Sequence, residues 1–308
     1  MISIEGLTKT YGSHRALDHV SFQVDAGDMF GLIGPNGAGK ITIIRILSTL
    51  LQPTVGQAKV ANHSVTREAA EVRRLIGYMP DFFGVYEELK VREYLEFFAS
   101  TYGIKGAKRK QTVDGVLELV DLTEKRDSLI AALSRGMQQR LGLARVLVHD
   151  PQVLFLDEPA SGLDPRARIE IRALLKELRK MGKTILISSH ILADLADLCN
   201  KIGLIERGKL LYAGGLKEAM AQVQGDDVWL VEVFEDTDRA KKTLESQSFT
   251  ESVTEAEGQL RIKLRPGHPE VHVIPQVLLQ QNLRLKLFKV AEVTLEDAFL
   301  KLTKGEVS

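Results

Sequence analysis

Through roughly the first 215 residues, short β-branched and aliphatic runs alternate with stretches whose apolar residues recur at helical spacing. Met29 to Ile33, Val153 to Leu156 and Thr184 to Ser188 are almost continuously apolar, as expected of strands covered on both faces. The alternation predicts an α/β layer around a largely parallel sheet. Between about 85 and 147 strand patterns vanish and helical ones take over, which predicts a separate helical lobe. Eight aromatics (Tyr78, Phe82, Phe83, Tyr86, Tyr94, Phe97, Phe98, Tyr102) gather at its entrance. They read either as lobe core or as a docking groove, since aromatics are enriched at interface centres.

Composition shifts after Gly225-Asp226-Asp227. The tail then predicts a strand (228–234), a helix (237–246), a strand (251–255), a turn at Glu257-Gly258 and a strand (259–264). A helix (275–281) and a strand (283–290) follow, and Thr294 with Asp297 resembles a capping box opening a last helix. The order β-α-β-β-α-β is that of a ferredoxin-like unit. Two domains are expected, residues 1–220 and 226–308.

Composition narrows the function classes. The chain has 308 residues, with 41 basic and 41 acidic side chains, and such neutrality does not suit a protein whose main partner is nucleic acid. Phosphate binding, if any, must come from local geometry. A single cysteine, Cys199, excludes an intrachain disulfide and fits a reducing compartment. The start, Met1-Ile2-Ser3-Ile4-Glu5, lacks the features of a signal peptide. No apolar run is long enough to span a bilayer, so action at a membrane would need another subunit.

The strongest chemical signal is Gly34-Pro35-Asn36-Gly37-Ala38-Gly39-Lys40, after an apolar strand and before a helix expected over 42–51. Glycines let successive N–H groups turn inward as an anion cradle, the helix N-terminus adds positive potential, and Lys40 reaches the outer phosphates. Val153 to Glu158 is an apolar strand ending in two carboxylates, the Walker B arrangement, with Asp157 placed for Mg²⁺ and Glu158 for the attacking water.

These motifs resemble those of the ATPase subunits of ABC transporters, over about residues 2–215. Leu133-Ser134-Arg135-Gly136-Met137-Gln138-Gln139-Arg140 is similar to the family signature, Ser161-Gly162-Leu163-Asp164 to its D-loop, His190 to its switch histidine, and Tyr11 to its adenine-stacking aromatic. The resemblance implies a P-loop NTPase (RecA-like) core with a helical lobe, ATP and Mg²⁺ as cofactors, and a dimer, homo- or heteromeric. In it Ser134, Arg135, Gly136 and Met137 face the nucleotide of the second subunit. It further implies an integral membrane transport subunit as partner, a place on the inner, cytoplasmic face of the membrane, and an exporter. The aromatic stretch would receive the membrane subunit, and the tail would be an accessory module.

Two positions depart from the family pattern. Ile41 stands where the family places a Mg²⁺-ligating Ser or Thr, with Thr42 next to it, and Asp81 stands where the family has the Q-loop glutamine. An alkyl group cannot ligate a hard cation, whereas a carboxylate can. The expectation is an attenuated but real ATPase that uses Glu158, His190 and Lys40, with Asp157 and Asp81 at the metal. Two alternatives are a nucleotide-binding regulator without hydrolysis and a soluble ABC protein without membrane partner. The first expectation predicts that Ile41→Thr raises steady-state ATPase at limiting Mg²⁺. Titrating turnover against Mg²⁺ checks this, and an unchanged rate and Mg²⁺ dependence would sink it.

Overall fold

The structure is a computed structural model that describes residues 1–223, 228–256, 258–265 and 272–291. The chain divides into two compact units, Met1–Lys217 and one beginning at Glu218.

The first unit opens with β1 (Ile2–Tyr11), β2 (His14–Val24), β3 (Met29–Ile33), α1 (Lys40–Leu47), β4 (Val55–Val60) and β5 (His63–Ser64). It continues with α2 (Ala69–Leu75), β6 (Ile76–Met79), α3 (Val91–Thr101), α4 (Gly106–Leu119) and α5 (Arg135–Leu147). Then come β7 (Val153–Asp157), α6 (Pro165–Lys180), β8 (Thr184–Ser189), α7 (Leu192–Leu198), β9 (Lys201–Glu206) and β10 (Lys209–Gly215). A further helix, α8 (Leu216–Val223), follows.

The expected largely parallel sheet is present, and the unit contains a second, antiparallel sheet as well. A six-stranded sheet has the order β10-β9-β3-β8-β7-β6, parallel except for the β9–β10 pair. A separate four-stranded sheet, β2-β1-β4-β5, is antiparallel throughout. Its strands bury one face only: Ile2, Ile4 and Leu7 alternate with more exposed positions in β1, the pattern antiparallel sheets carry. β3, β7 and β8 are buried along their whole length.

Helix α1 lies in the core that joins both sheets. Its Ile43, Ile44, Ile46 and Leu47 are sealed among Ile4, Leu17 and Phe22 of the antiparallel sheet and Phe30, Phe155 and Leu186 of the parallel one. A helix apolar on nearly every side must be enclosed in this way. It starts two residues earlier than expected, at Lys40, because Gly39 takes a left-handed N-cap conformation (φ 111°). It ends at Leu47 rather than near Leu51, with Ser48 as C-cap and Thr49 at φ 64°.

In the lobe, α3, α4 and α5 pack together with no named strand between Val85 and Leu147. The aromatics divide between the lobe core and its surface. Tyr94 is fully buried and Phe83 lies on Gly142 of α5, while Phe82 (88%), Tyr86, Phe97 and Tyr102 are exposed.

The second unit contains β11 (Val228–Val233), α9 (Thr237–Glu245), β12 (Thr250–Ala256), β13 (Gln259–Leu264), α10 (Val273–Gln280) and β14 (Leu285–Val290). Its sheet order, β12-β13-β11-β14, is antiparallel throughout. That is the ferredoxin-like arrangement. Its own core gathers Val231, Leu260 and Ile262 of the sheet with Leu244 of α9 and Ile274 and Leu278 of α10. The helix expected from Thr294 lies outside the described residues.

The tight pairing of β1 with β4 makes one glycine decisive. A Cβ on Gly56 (φ 86°) would lie 2.3 Å from the Gly6 carbonyl oxygen, whereas one on Gly12 (φ 57°) would meet nothing within 4 Å. Gly12→Ala should cost about 1 kcal/mol from left-handed strain, and Gly56→Ala roughly 3 kcal/mol or more, because a backbone clash is added. Chemical denaturation of the two variants checks the contrast.

Candidate active site

The site assembles at the carboxyl ends of the parallel strands, where open α/β sheets bind ligands. β3 runs into the glycine loop, β7 into Asp157 and Glu158, and the neighbouring β8 into Ser188, Ser189 and His190. Adjacent strands thus bring together residues far apart in sequence.

The loop's shape is forced by its surroundings. A Cβ on Gly34 would sit 2.2 Å from the Ile205 carbonyl oxygen, and one on Gly39 would strike Leu17 and the Ala16 carbonyl at 2.7 and 2.8 Å. Only glycine fits at either place. The Ala38 N–H donates to the Pro35 carbonyl at 3.1 Å, and the Gly208 N–H donates to the Ala38 carbonyl at 3.0 Å, tying the loop to the β9–β10 turn. Lys40, only 8% exposed, donates from Nζ to the carbonyls of Gly34 (2.5 Å) and Pro35 (3.1 Å). Burial lowers its pKa, opposed by the negative field of Glu158 and Asp157.

Above the loop lies a cleft of about 400 Å³. It is lined by residues 36–42, by Tyr11, His14 and Ala16, and by Asp81, Asp157 and Glu158. Tyr11 is half exposed, with the Lys9 ammonium 5.2 Å from its ring centroid. Ile41 is 40% exposed and Thr42 is buried, and both line the cleft.

Asp157 is buried and accepts a hydrogen bond from the Ser188 hydroxyl at 2.5 Å. Glu158 adopts a left-handed backbone (φ 50°), its N–H donating to the Ser188 carbonyl at 3.1 Å. Its Oε2 lies 2.8 Å from Nδ1 of the half-exposed His190. Burial raises the Glu158 pKa, His190 and Lys40 pull it down, and the charge of Asp157 pushes it up further.

The donors around the cleft suit a hard cation. Asp157, Asp81 and the Thr42 hydroxyl offer oxygen, Ile41 offers nothing, and no group of three metal-ligating side chains exists among the described residues. Mg²⁺ keeps several waters and takes one or two carboxylates beside phosphate oxygens, so a sparse oxygen set of this kind fits it.

The other expected residues lie apart from this cleft. Ser134 caps α5, accepting from the Met137 N–H at 3.3 Å, and Asp164 caps α6, accepting from the Ala167 N–H at 3.0 Å. Gly136 packs on Ala167, and the Arg135 guanidinium lies against Gly162. Neither cap borders the chain's own cleft. Three participants escaped the sequence reading. His14 stands across a two-residue turn from Tyr11, a hairpin signal that was readable. Ser188 was placed only as strand, since its partner sits on a neighbouring strand. Gln139 reaches the Pro159 carbonyl from α5 at 2.8 Å, a contact between distant segments.

Comparison with known proteins gives a consistent answer. A family profile described as ABC transporter matches residues 17–161. The chain is 31% identical to the linearmycin resistance ATP-binding protein of Bacillus subtilis (strain 168), over 98% of each chain. It is 34% identical to the Nod factor export ATP-binding protein I of Ralstonia nicotianae, over 100% of this chain and 95% of that one. Among solved structures, an ATP-binding subunit of an ABC transporter superposes with a TM-score of 0.65 at 30% identity, covering 72% of this chain and 92% of the other. A dimeric, post-hydrolysis ATP-binding cassette with ADP and Pi gives 0.64 at 27%, over 70% and 99%. With the phosphate loop, the paired carboxylates and this near full-length similarity in hand, the chain belongs to the ATP-binding proteins of ABC transporters, ATPases of the P-loop NTPase fold.

Proposed function

We propose that this chain binds ATP with Mg²⁺ over residues 34–42 and hydrolyses it, within a dimer of two such cassettes, to drive export through an integral membrane subunit. The observation that carries the reading is Glu158, held by His190 at 2.8 Å in a cleft also lined by the phosphate loop and Lys40. The resistance and export functions in the names of the relatives above support the direction of transport.

In this reading the loop amides and the Lys40 ammonium bind the β- and γ-phosphates, and Tyr11 stacks on the adenine. Glu158 orients the attacking water and accepts its proton, and His190 fixes the carboxylate's position. Mg²⁺, when bound, neutralises phosphate charge, with Asp157 and Asp81 as its protein ligands. Ser134 and the N-terminus of α5 lie outside the chain's own cleft, which suits their facing the nucleotide of a second copy across a dimer. Ile41, lining the cleft without a donor, favours slow turnover, and a regulator that binds ATP without hydrolysis is the second reading.

The membrane partner is supported by the lobe entrance. Phe82 is almost fully solvent-exposed, and a recess of about 660 Å³ is walled by Val85, Tyr86, Leu89 and Phe97, with Glu87 and Glu88 at its edge. Exposed aromatics in one patch mark interaction sites. No helix among the described residues is long and apolar enough to cross a membrane, so the spanning part belongs to that partner. The cassette then sits on the cytoplasmic face.

Glu158→Gln should leave ATP binding intact and lower turnover about 10²–10³-fold; separate binding and turnover assays on the purified chain check it, and undiminished turnover would remove Glu158 as the base. The same group sets a pH dependence. Its folded-state pKa is raised above the ordinary 4.5, so turnover should fall on acidification at a higher pH than for an ordinary glutamate. Because the folded state holds the proton more tightly than the unfolded one, ionisation of Glu158 costs stability as pH rises through that window. Glu158→Gln should therefore melt above wild type at neutral pH, with the gain disappearing in acid. At the lobe, Phe82→Ser with Tyr86→Ser should abolish co-purification with the co-expressed membrane subunit and leave the isolated chain's ATPase within twofold.

A further inference from the structure

The segment from Glu158 to Asp164 connects the end of β7 to α6, and Glu158 begins it in a left-handed conformation that a non-glycine residue adopts only at a cost. On one side its N–H is held by the Ser188 carbonyl at 3.1 Å, with the Ser188 hydroxyl at 3.3 Å. On the other side the next carbonyl, that of Pro159, accepts a hydrogen bond from Gln139 Nε2 at 2.8 Å. This bond is buried at both ends, and Gln139 itself is 8% exposed. Proline fixes its own φ, so a bond to its carbonyl orients the Pro159–Ala160 peptide close behind Glu158.

Gln139 sits on the face of α5 that packs against this segment. One turn earlier on the same helix the Arg135 guanidinium lies against Gly162, and Gly136 packs on Ala167. The next residue along, Arg140, reaches Glu170 of α6 at 3.7 Å. The helix whose N-cap is Ser134 therefore grips the segment carrying Glu158 from its first residues to its last.

We propose that Gln139 is a positioning residue for Glu158: its amide fixes the Pro159 peptide and, through it, the backbone that aims the carboxylate at the cleft. The inference rests on the reading of Glu158 as general base. It has a structural consequence for the dimer. The same rigid helix carries Ser134, placed for the second copy's nucleotide, and Gln139, which holds this copy's own base.

The test replaces Gln139 with methionine, which keeps the length and loses the donor, and with glutamate, which keeps the shape and presents oxygen to the carbonyl. Steady-state ATPase of the purified full chain should show kcat reduced about 10–100-fold, with KM and the Kd for ATP within twofold of wild type. In a Glu158→Gln background, Gln139→Met should bring no further loss, because positioning a base that is gone has no value. Either variant folding normally with kcat within twofold of wild type would overturn the proposal. So would a kcat loss accompanied by an equal rise in KM, or losses that multiply in the double variant. Should Glu158→Gln alone keep wild-type turnover, the general-base reading fails instead, whatever Gln139 does.

Discussion

The burial of a single ammonium organises the site. Lys40 lies at the first position of a helix sealed between two sheets, with its charge capped by two loop carbonyls and faced by two carboxylates from another strand. Burying a cation is expensive unless it is paired and hydrogen-bonded. The surrounding structure supplies both: glycines 34 and 39 let the backbone close on the ammonium, and the β3-β8-β7 order brings Asp157 and Glu158 to the same edge. Loosening either would leave the lysine under-compensated, so the loop, the sheet order and the carboxylates form one electrostatic unit. A polyphosphate presents the same kind of partner as those carboxylates, with more charge, which is why such a cradle suits it.

How much of this was legible in the sequence follows from how local each signal is. The phosphate loop, the carboxylate pair and the β-α-β-β-α-β order of the second unit are written in contiguous residues, and local periodicity suffices to read them. Sheet membership is not local. β1 and β2 carry stretches of period-2 alternation, as at Val20, Phe22 and Val24, yet nothing within them says that they form a sheet with β4 rather than join β3. Helix α1 was placed too late because its start depends on one left-handed glycine, and its end on the turn at Ser48 and Thr49. Ser188 and Gln139 act across strands and across a helix–loop gap. Their chemistry becomes visible only when a neighbour 30 or 20 positions away is brought beside them.

Ile41 and Asp81 read differently once placed. In sequence they are two departures from one family pattern; in space both line the same cleft as Asp157. Oxygen lost at one position and gained at the other need not cancel. A hydroxyl at the helix start is held by the backbone of the phosphate loop itself, whereas Asp81 follows β6 at the lobe entrance, where its position is tied to the packing of that segment. In the proposed reading, a metal held by Asp157 and Asp81 would tie turnover to the lobe more closely than one held by a threonine at position 41.

The left-handed backbone of Glu158 shows how such a site is sustained. A non-glycine residue in this region costs on the order of 1–3 kcal/mol, and a single net hydrogen bond returns only about 0.5–1.5 kcal/mol. One bond would leave the strain uncompensated. The segment has three: Ser188 on the Glu158 N–H, Gln139 on the Pro159 carbonyl, and the Ser161 N–H closing back on the Glu158 carbonyl at 3.0 Å. Together they return about 1.5–4.5 kcal/mol, which is of the order of the cost. Ser188 contributes twice, since the hydroxyl beside the Glu158 N–H also holds Asp157. One side chain therefore couples the Glu158 backbone to the Asp157 carboxylate, so that moving either acidic residue disturbs the other.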